Sequence, residues 1–359
     1  KPAKKRMKIR ICSGNSLLSE YQYLNPLPMR RILLLSFVMA QAPAVMAQYP
    51  TGHPSERPNI ESRTDRPDLP VEIVSKRNKD NSISFWASKR RPGTYTIFLN
   101  FENLENCTEP RNIMIPVRYE GLIYTLRPEN SDRPIRYRFR YLPQQGVINP
   151  KQVDERFVYR LPFSLHRPDS VAVRTLRMRV SKDRMPVDRR NEAVSHQFIL
   201  QRGDTVFAIR RGTVVATSDR PGTNRLKDGE IGSTTSNGIL VEHADGTLAY
   251  YCVLEPGSHQ VNPGDDVYPG TALGCAGSLD GNRHEVRVRL YYKTLGKEDF
   301  ESFKRLTANV YLNPVFATEE GHARLVSGRS YRAVQTDEIL QAEMSKRELK
   351  QLKKTGRRK

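Results

Sequence analysis

The chain has 359 residues, 37% of them hydrophobic, with 24 Pro, 22 Gly and a single Trp. That length supports two modest domains, and the Pro and Gly content excludes an architecture of long helices. Lys and Arg number 59 against 39 Asp and Glu, a net charge of +20; the basic residues are scattered and no nucleic-acid-binding module accompanies them, so no nucleic-acid partner is expected.

Residues 1–28 are basic and then without pattern, and they read as an untranslated upstream extension. Met29-Arg30-Arg31 then supplies a positive n-region, Ile32 to Val45 an apolar h-region interrupted by Gln41 and Pro43, and Val45-Met46-Ala47 a small-residue cleavage site. Residues 29–47 are therefore expected to be a secretory signal peptide. A membrane anchor needs about 20 apolar residues, more than this run provides, so no transmembrane anchor is expected after cleavage. The residue directly after the cleavage site is Gln48 and not Cys, so a bacterial lipoprotein is not expected. The expected location is the periplasm or the outer cell envelope, where disulfides are permitted. Of the Cys residues, Cys107, Cys252 and Cys275 lie beyond the cleavage site. An odd number leaves at least one free or paired elsewhere; Cys252 and Cys275 are the candidates for a bond.

Residues 48–69 are rich in Pro, Ser, Thr and charge and read as a linker. From 70 to 153 short apolar–polar alternations follow: Val71 to Ile73, Ser82 to Trp86, Tyr95 to Phe101, Ile113 to Tyr119 and Ile135 to Tyr141, separated by Pro, Gly and Asn turns. That spacing predicts a β-sandwich, and it carries no catalytic constellation. A further run, Phe157 to Leu161, follows. Between about 196 and 292 the strands are punctuated by Gly turns such as Arg202-Gly203-Asp204, Arg211-Gly212-Thr213, Ala244-Asp245-Gly246 and Tyr268-Pro269-Gly270. After the Thr336/Asp337 cap a short helix is expected, and residues 318–359 read as a basic, solvated tail.

The runs Gly203 to Ala208, Gly212 to Val215, Ile239 to Tyr251 and Val261 to Ser278 resemble, in order and spacing, the lysostaphin-like (LytM-type) zinc endopeptidases that cut peptidoglycan cross-links. Asp154 to Phe163 also looks like the lead-in to that domain in Bacteroidetes-type members. The resemblance covers residues 154–317. Together with the sandwich and the helix read above, it implies a mainly β fold: an N-terminal β-sandwich followed by a lysostaphin-like hybrid β-barrel domain, with a short C-terminal helix.

The zinc site that the resemblance implies needs a His and an Asp before the first Gly turn, a His on the last strand, and further His to polarise water. Catalytic zinc takes three protein ligands and leaves one position open. In this chain the Asp position falls on Gln197, and the first His position falls near Arg190, where no His stands. Val253 replaces the His that follows the Tyr-containing strand. The closing His-x-His falls on Arg283 and Glu285, with His284 pointing away from the site, and His243 matches a family His that binds no metal. Cys252 has no His partner nearby in sequence and reads as a structural thiol.

The resemblance without its ligands implies a degenerate member: no catalytic residue, no metal and no cofactor. Its expected role is binding, regulation or assembly at the cell wall. The expected partner is peptidoglycan or a cell-envelope protein such as a wall amidase or a secretion assembly. Arg190, Arg283, Glu285 and His284 are the candidate groove residues. Two other readings stay open: an active peptidoglycan zinc endopeptidase with an atypical site, and a structural subunit of an envelope or secretion complex.

Overall fold

The computed structural model describes residues 60–63, 68–108, 110–179, 192–224, 236–296 and 306–356. The expected upstream extension and signal peptide, and Arg190, lie outside the described residues. Among the described residues about half are in strands and only two short helices occur, so the fold is mainly β. Among the described residues no helix is long and apolar enough to cross a membrane.

The first half is two antiparallel sheets. Ile60–Arg63, Val71–Arg77, Ile83–Lys89 and Gly121–Leu126 pair in that order, and Asn112–Val117, Tyr95–Glu105 and Arg136–Gln145 form the second sheet. Alternation makes each strand two-faced. In Arg136–Gln145, Tyr137, Phe139 and Tyr141 turn inward while Arg136, Arg138 and Arg140 are exposed. Phe85 meets Phe101 and Phe139 edge-on, with ring centroids 5.4 and 5.3 Å apart. Burying each such ring contributes about 1.5–3 kcal/mol. Ile60–Arg63 falls inside the segment read as a linker. A strand on a sheet edge needs only backbone hydrogen bonds, which any side chains permit, so composition gave no warning of it.

The second half is built on a ten-stranded sheet. Its main path runs Asp266–Val267, Gly212–Ser218, Gly238–Glu242, Leu248–Cys252, His284–Leu295, Glu192–Leu200, Val171–Arg179 and Ser330–Tyr331. Gly277–Ser278 and Thr307–Tyr311 also pair with His284–Leu295. Two smaller sheets pack against one face: Thr205–Phe207 with Ala272–Cys275, and Gly321–Arg324, Val315–Thr318 and Val158–Tyr159. The core between them takes Ile239, Val241, Tyr251, Val286, Val288 and Leu290 from the large sheet and Val206, Leu273, Phe316 and Tyr159 from the small ones.

The two halves are bonded to each other. Glu242 Oε2 accepts from Thr94 N at 2.7 Å, Asn149 N donates to Lys293 O at 2.9 Å, and Phe98, Ile148 and Leu306 form a small apolar cluster. Gly93, at φ +89°, is needed at this junction because a Cβ there would stand 2.5 Å from Val215 Cγ1.

The segment after 317 is not a solvated tail. Gly321–Arg324 and Ser330–Tyr331 are strands, and Thr336 caps the helix Asp337–Gln341 through Ile339 N. A second helix, Lys346–Gly356, starts at a reciprocal cap: Ser345 N donates to Glu348 Oε2 and Glu348 N donates to Ser345 Oγ. Glu343 and Glu348 reach back to Arg210 and Arg211. Counting the basic residues missed that the two acids are the anchors.

The Cys252–Cys275 bond is not formed. Cys275 is disulfide-bonded, whereas Cys252 and Cys107 are free thiols. The two residues sit on strands of different sheets, and Cys252 Sγ instead donates to Arg287 O at 3.5 Å.

Candidate functional site

Glu192–Leu200 and His284–Leu295 run antiparallel, with Gln197 opposite Arg287 and Ile199 opposite Glu285. The period of two sends Phe198, Val286, Val288 and Leu290 into the core. Gln197, Glu285 and Arg287 occupy the intervening positions and share the other face. They are buried there, at 2%, 1% and 7% exposure.

These side chains form one cluster around the Glu285 carboxylate. Gln197 Nε2 donates to Glu285 Oε2, Arg287 Nε donates to Oε1 at 2.6 Å, and Arg283 Nε donates to Oε2 at 3.3 Å. Arg283 is the most exposed member and lies at the rim. Behind it Asp280 accepts from the backbone N–H groups of Arg283 and Asn282 and from Ser278 Oγ, which holds its carboxyl down to about 2. That carboxylate is committed to its own turn.

Three of the residues singled out from the sequence, Gln197, Arg283 and Glu285, thus meet in one place. Val253 borders them: its carbonyl accepts from Gly277 N, and Gly277 pairs with Glu285. Val253 is buried at φ +68°, a steric outlier for a β-branched residue. A Cβ on Gly277 would lie 2.6 Å from Val253 O, so glycine is required for the approach. His284 pairs with Leu200 and Ser278, one residue out of phase with Glu285, and so belongs to the opposite face. Arg287 is the member that the sequence reading did not single out. Its signal was the phase of Glu285-Val286-Arg287-Val288-Arg289, in which the charged residues occupy every position that the core does not.

The other buried histidines stand outside the cluster. His196 faces the core with Phe316, its Nδ1 3.3 Å from Thr175 Oγ1, and burial pushes its pKa down to about 4. His243 Nδ1 lies 2.7 Å from Arg211 O; burial, aided by the nearby Arg210 charge, lowers it to about 4 as well. Cys252 is fully enclosed, and burial raises its thiol pKa, the opposite of what a nucleophile needs.

The cluster does not fit zinc. Among the described residues no group of three or more His, Cys, Asp or Glu is placed to hold a metal ion. Gln197, Val253 and Arg283 offer an amide, a hydrocarbon and a guanidinium, and the one carboxylate, Glu285, is already bonded to two guanidinia and an amide. Catalytic zinc needs three deprotonated N, O or S donors converging at about 2 Å. What the arrangement does offer is a buried carboxylate that orients two cations.

No family model matches the chain, and no curated protein matches it. Among solved structures it is similar to a chain from Ruminococcus gnavus described as a LytM glycyl-glycine endopeptidase, at 17% identity over 33% of this chain and 43% of that one, with a TM-score of 0.22. It is also similar to a zinc-containing peptidase from Vibrio cholerae, at 14% identity, 62% and 75% coverage and a TM-score of 0.25. Csd3 of Helicobacter pylori matches at 13% identity, 80% and 79% coverage and a TM-score of 0.26. The chain therefore spans less than half the length of the first of these. At such identities and scores the similarity defines neither its family nor its activity.

Proposed function

We propose that this is an exported cell-envelope protein whose peptidase-like half works without hydrolysis, in binding, regulation or assembly at the cell wall. The observation that carries the reading is the Gln197–Glu285–Arg283–Arg287 cluster. Three of its members, Gln197, Arg283 and Glu285, stand where the lysostaphin-like pattern would place metal-site residues, and the cluster neutralises its carboxylate internally. A buried ion cluster of this kind holds groove geometry and charge without offering a site for water activation.

Zymography on peptidoglycan with and without chelator, run beside elemental analysis of the same sample, tests the reading. The expected outcome is no chelator-sensitive clearing and no bound zinc. Clearing that is abolished by chelator would replace the reading with that of an active endopeptidase.

A further inference from the structure

A cavity of about 340 Å³ lies on the core side of the large sheet, the side opposite Glu285. Its floor is apolar. Val194 and Leu290 come from neighbouring strands of that sheet, each in phase with the core-facing Phe198 and Val288. Leu312 is held beside them by its N–H, which donates to Leu290 O at 2.8 Å. The Tyr159 hydroxyl is engaged elsewhere, accepting from Arg210 Nη1 at 3.2 Å, which leaves its ring for the cavity. Small-molecule sites occupy cavities of about 300–1,000 Å³, often in the mouths of β-barrels. At about 30 Å³ per water, this one has room for a molecule of about ten heavy atoms.

The rim carries charge of both signs, on residues exposed to solvent. Arg177 Nη1 and Glu192 Oε2 pair at 3.0 Å and satisfy each other. Asp154 and Arg324 do not pair. Asp154 Oδ1 accepts from its own turn, from Arg156 N at 2.8 Å, and Arg324 Nε donates to the neutral Asn313 O at 3.1 Å. Among the described residues neither forms an ion pair, so a negative and a positive group stand on one rim without closing on each other. Glu155, next to Asp154 on that rim, adds to the negative side. This combination selects among ligands. A sugar would strand its hydroxyls on the apolar floor, a fatty acid would bring charge only to Arg324, and an alkylamine would bring it only to Asp154.

We propose that this cavity binds a free α-amino acid with an apolar side chain. The site is separate from the Glu285 cluster, so the inference goes beyond the function proposed above and does not depend on it. The ammonium faces Asp154, and the carboxylate takes the fork of the Arg324 guanidinium. The side chain lies on the floor formed by Val194, Leu290, Leu312 and Tyr159, where it leaves water. An α-amino acid carries both charges on one carbon beside its side chain, so a single small molecule bridges the two unpaired groups and covers the apolar floor. A leucine-sized molecule suits the volume.

The test is calorimetric titration of the full chain with L-leucine, for which saturable binding of one molecule per chain is expected. Glycine keeps both charges without the side chain, leucinamide lacks the carboxylate and N-acetyl-leucine lacks the ammonium; each should bind about tenfold more weakly or worse. Asp154→Asn and Arg324→Gln should each lower the affinity for leucine about tenfold. Both side chains are exposed, so neither change should move the thermal midpoint of the free chain. Arg324→Lys should retain part of the binding. Failure of leucine to bind, equal binding of glycine, or indifference to both rim substitutions would each overturn the site. Tighter binding of hexylamine or of hexanoate than of leucine would overturn the amino-acid assignment.

Discussion

Two arginine clusters in the second half of the chain are built on opposite principles. Arg210 is almost wholly buried and fully answered: Nη1 reaches Asp245 at 2.7 Å, Nε and Nη2 clamp Glu343 at 3.1 and 2.7 Å, and the guanidinium lies 3.8 Å over the Phe157 ring. The Glu285 cluster gives one carboxylate to two guanidinia and leaves Arg289 Nε without an acceptor. A satisfied ion cluster holds parts of a fold together, and here it ties the C-terminal segment to the loop that leads into Gly212–Ser218. An under-satisfied one keeps capacity for something else, at a cost in stability.

The comparison breaks first on stability. Arg210→Ala strands Asp245 and Glu343 in a buried site, and a loss of about 3–5 kcal/mol in urea unfolding is expected. Glu285→Gln keeps the packing but removes the charge that two guanidinia share, with an expected loss of about 1–3 kcal/mol. If the second loss exceeded the first, the Glu285 cluster would be the structural one and the contrast would fail.

Acid sharpens the same contrast. His196 and His243 are folded as neutral rings with pKa values near 4, whereas unfolded imidazole titrates near 6.5. The unfolded state therefore binds more protons between those values, so stability is full above about pH 6.5 and declines as pH falls toward 4. Burial opposes the ionisation of Asp245, but Arg210 and Thr247 outweigh it and hold its carboxyl below the usual range. That component is present above about pH 4 and is lost only below it. Urea midpoints measured across this range should fall in two stages, and His243→Gln should flatten the upper one.

The smallest expected effect is at the helix Lys346–Gly356. Glu348 and Arg211 are each about a third exposed at their ion pair, and exposed pairs contribute little because solvent screens them. Glu348→Ala also removes the cap to Ser345, so a small fall in the thermal midpoint is expected.

Much of this was legible in the sequence where the side chains alternate against a core. Val71 to Ile73 and Tyr95 to Phe101 fall within observed strands, and Ile135 to Tyr141 does so from Arg136 on, because one buried face imposes the period. Ile60–Arg63 and Gly121–Leu126 were missed, the first because edge pairing uses backbone alone, the second because its side chains are mostly half-buried. At the site, Gln197 and Glu285 could be placed on one face from spacing. That Arg287 lies beside Glu285 follows from the local phase, whereas the bond from Gln197 to Glu285 and the lack of an acceptor for Arg289 Nε depend on cross-strand register and on which neighbours come within reach, and neither is encoded in any local run. The Cys252–Cys275 pairing failed for the same reason: nearness along the reading gave no distance between strands of separate sheets.

The proposed function requires that guanidinium and amide groups around Glu285 leave no place for a metal. It is tested most directly by incubating the purified full chain with excess zinc, removing free metal by gel filtration, and measuring bound zinc by elemental analysis. The expected result is no stoichiometric zinc, with Gln197→Asp alone failing to restore it because Arg283 and Arg287 remain on Glu285. One zinc retained per chain in the unmodified protein, and released by mutation of Glu285, would contradict it.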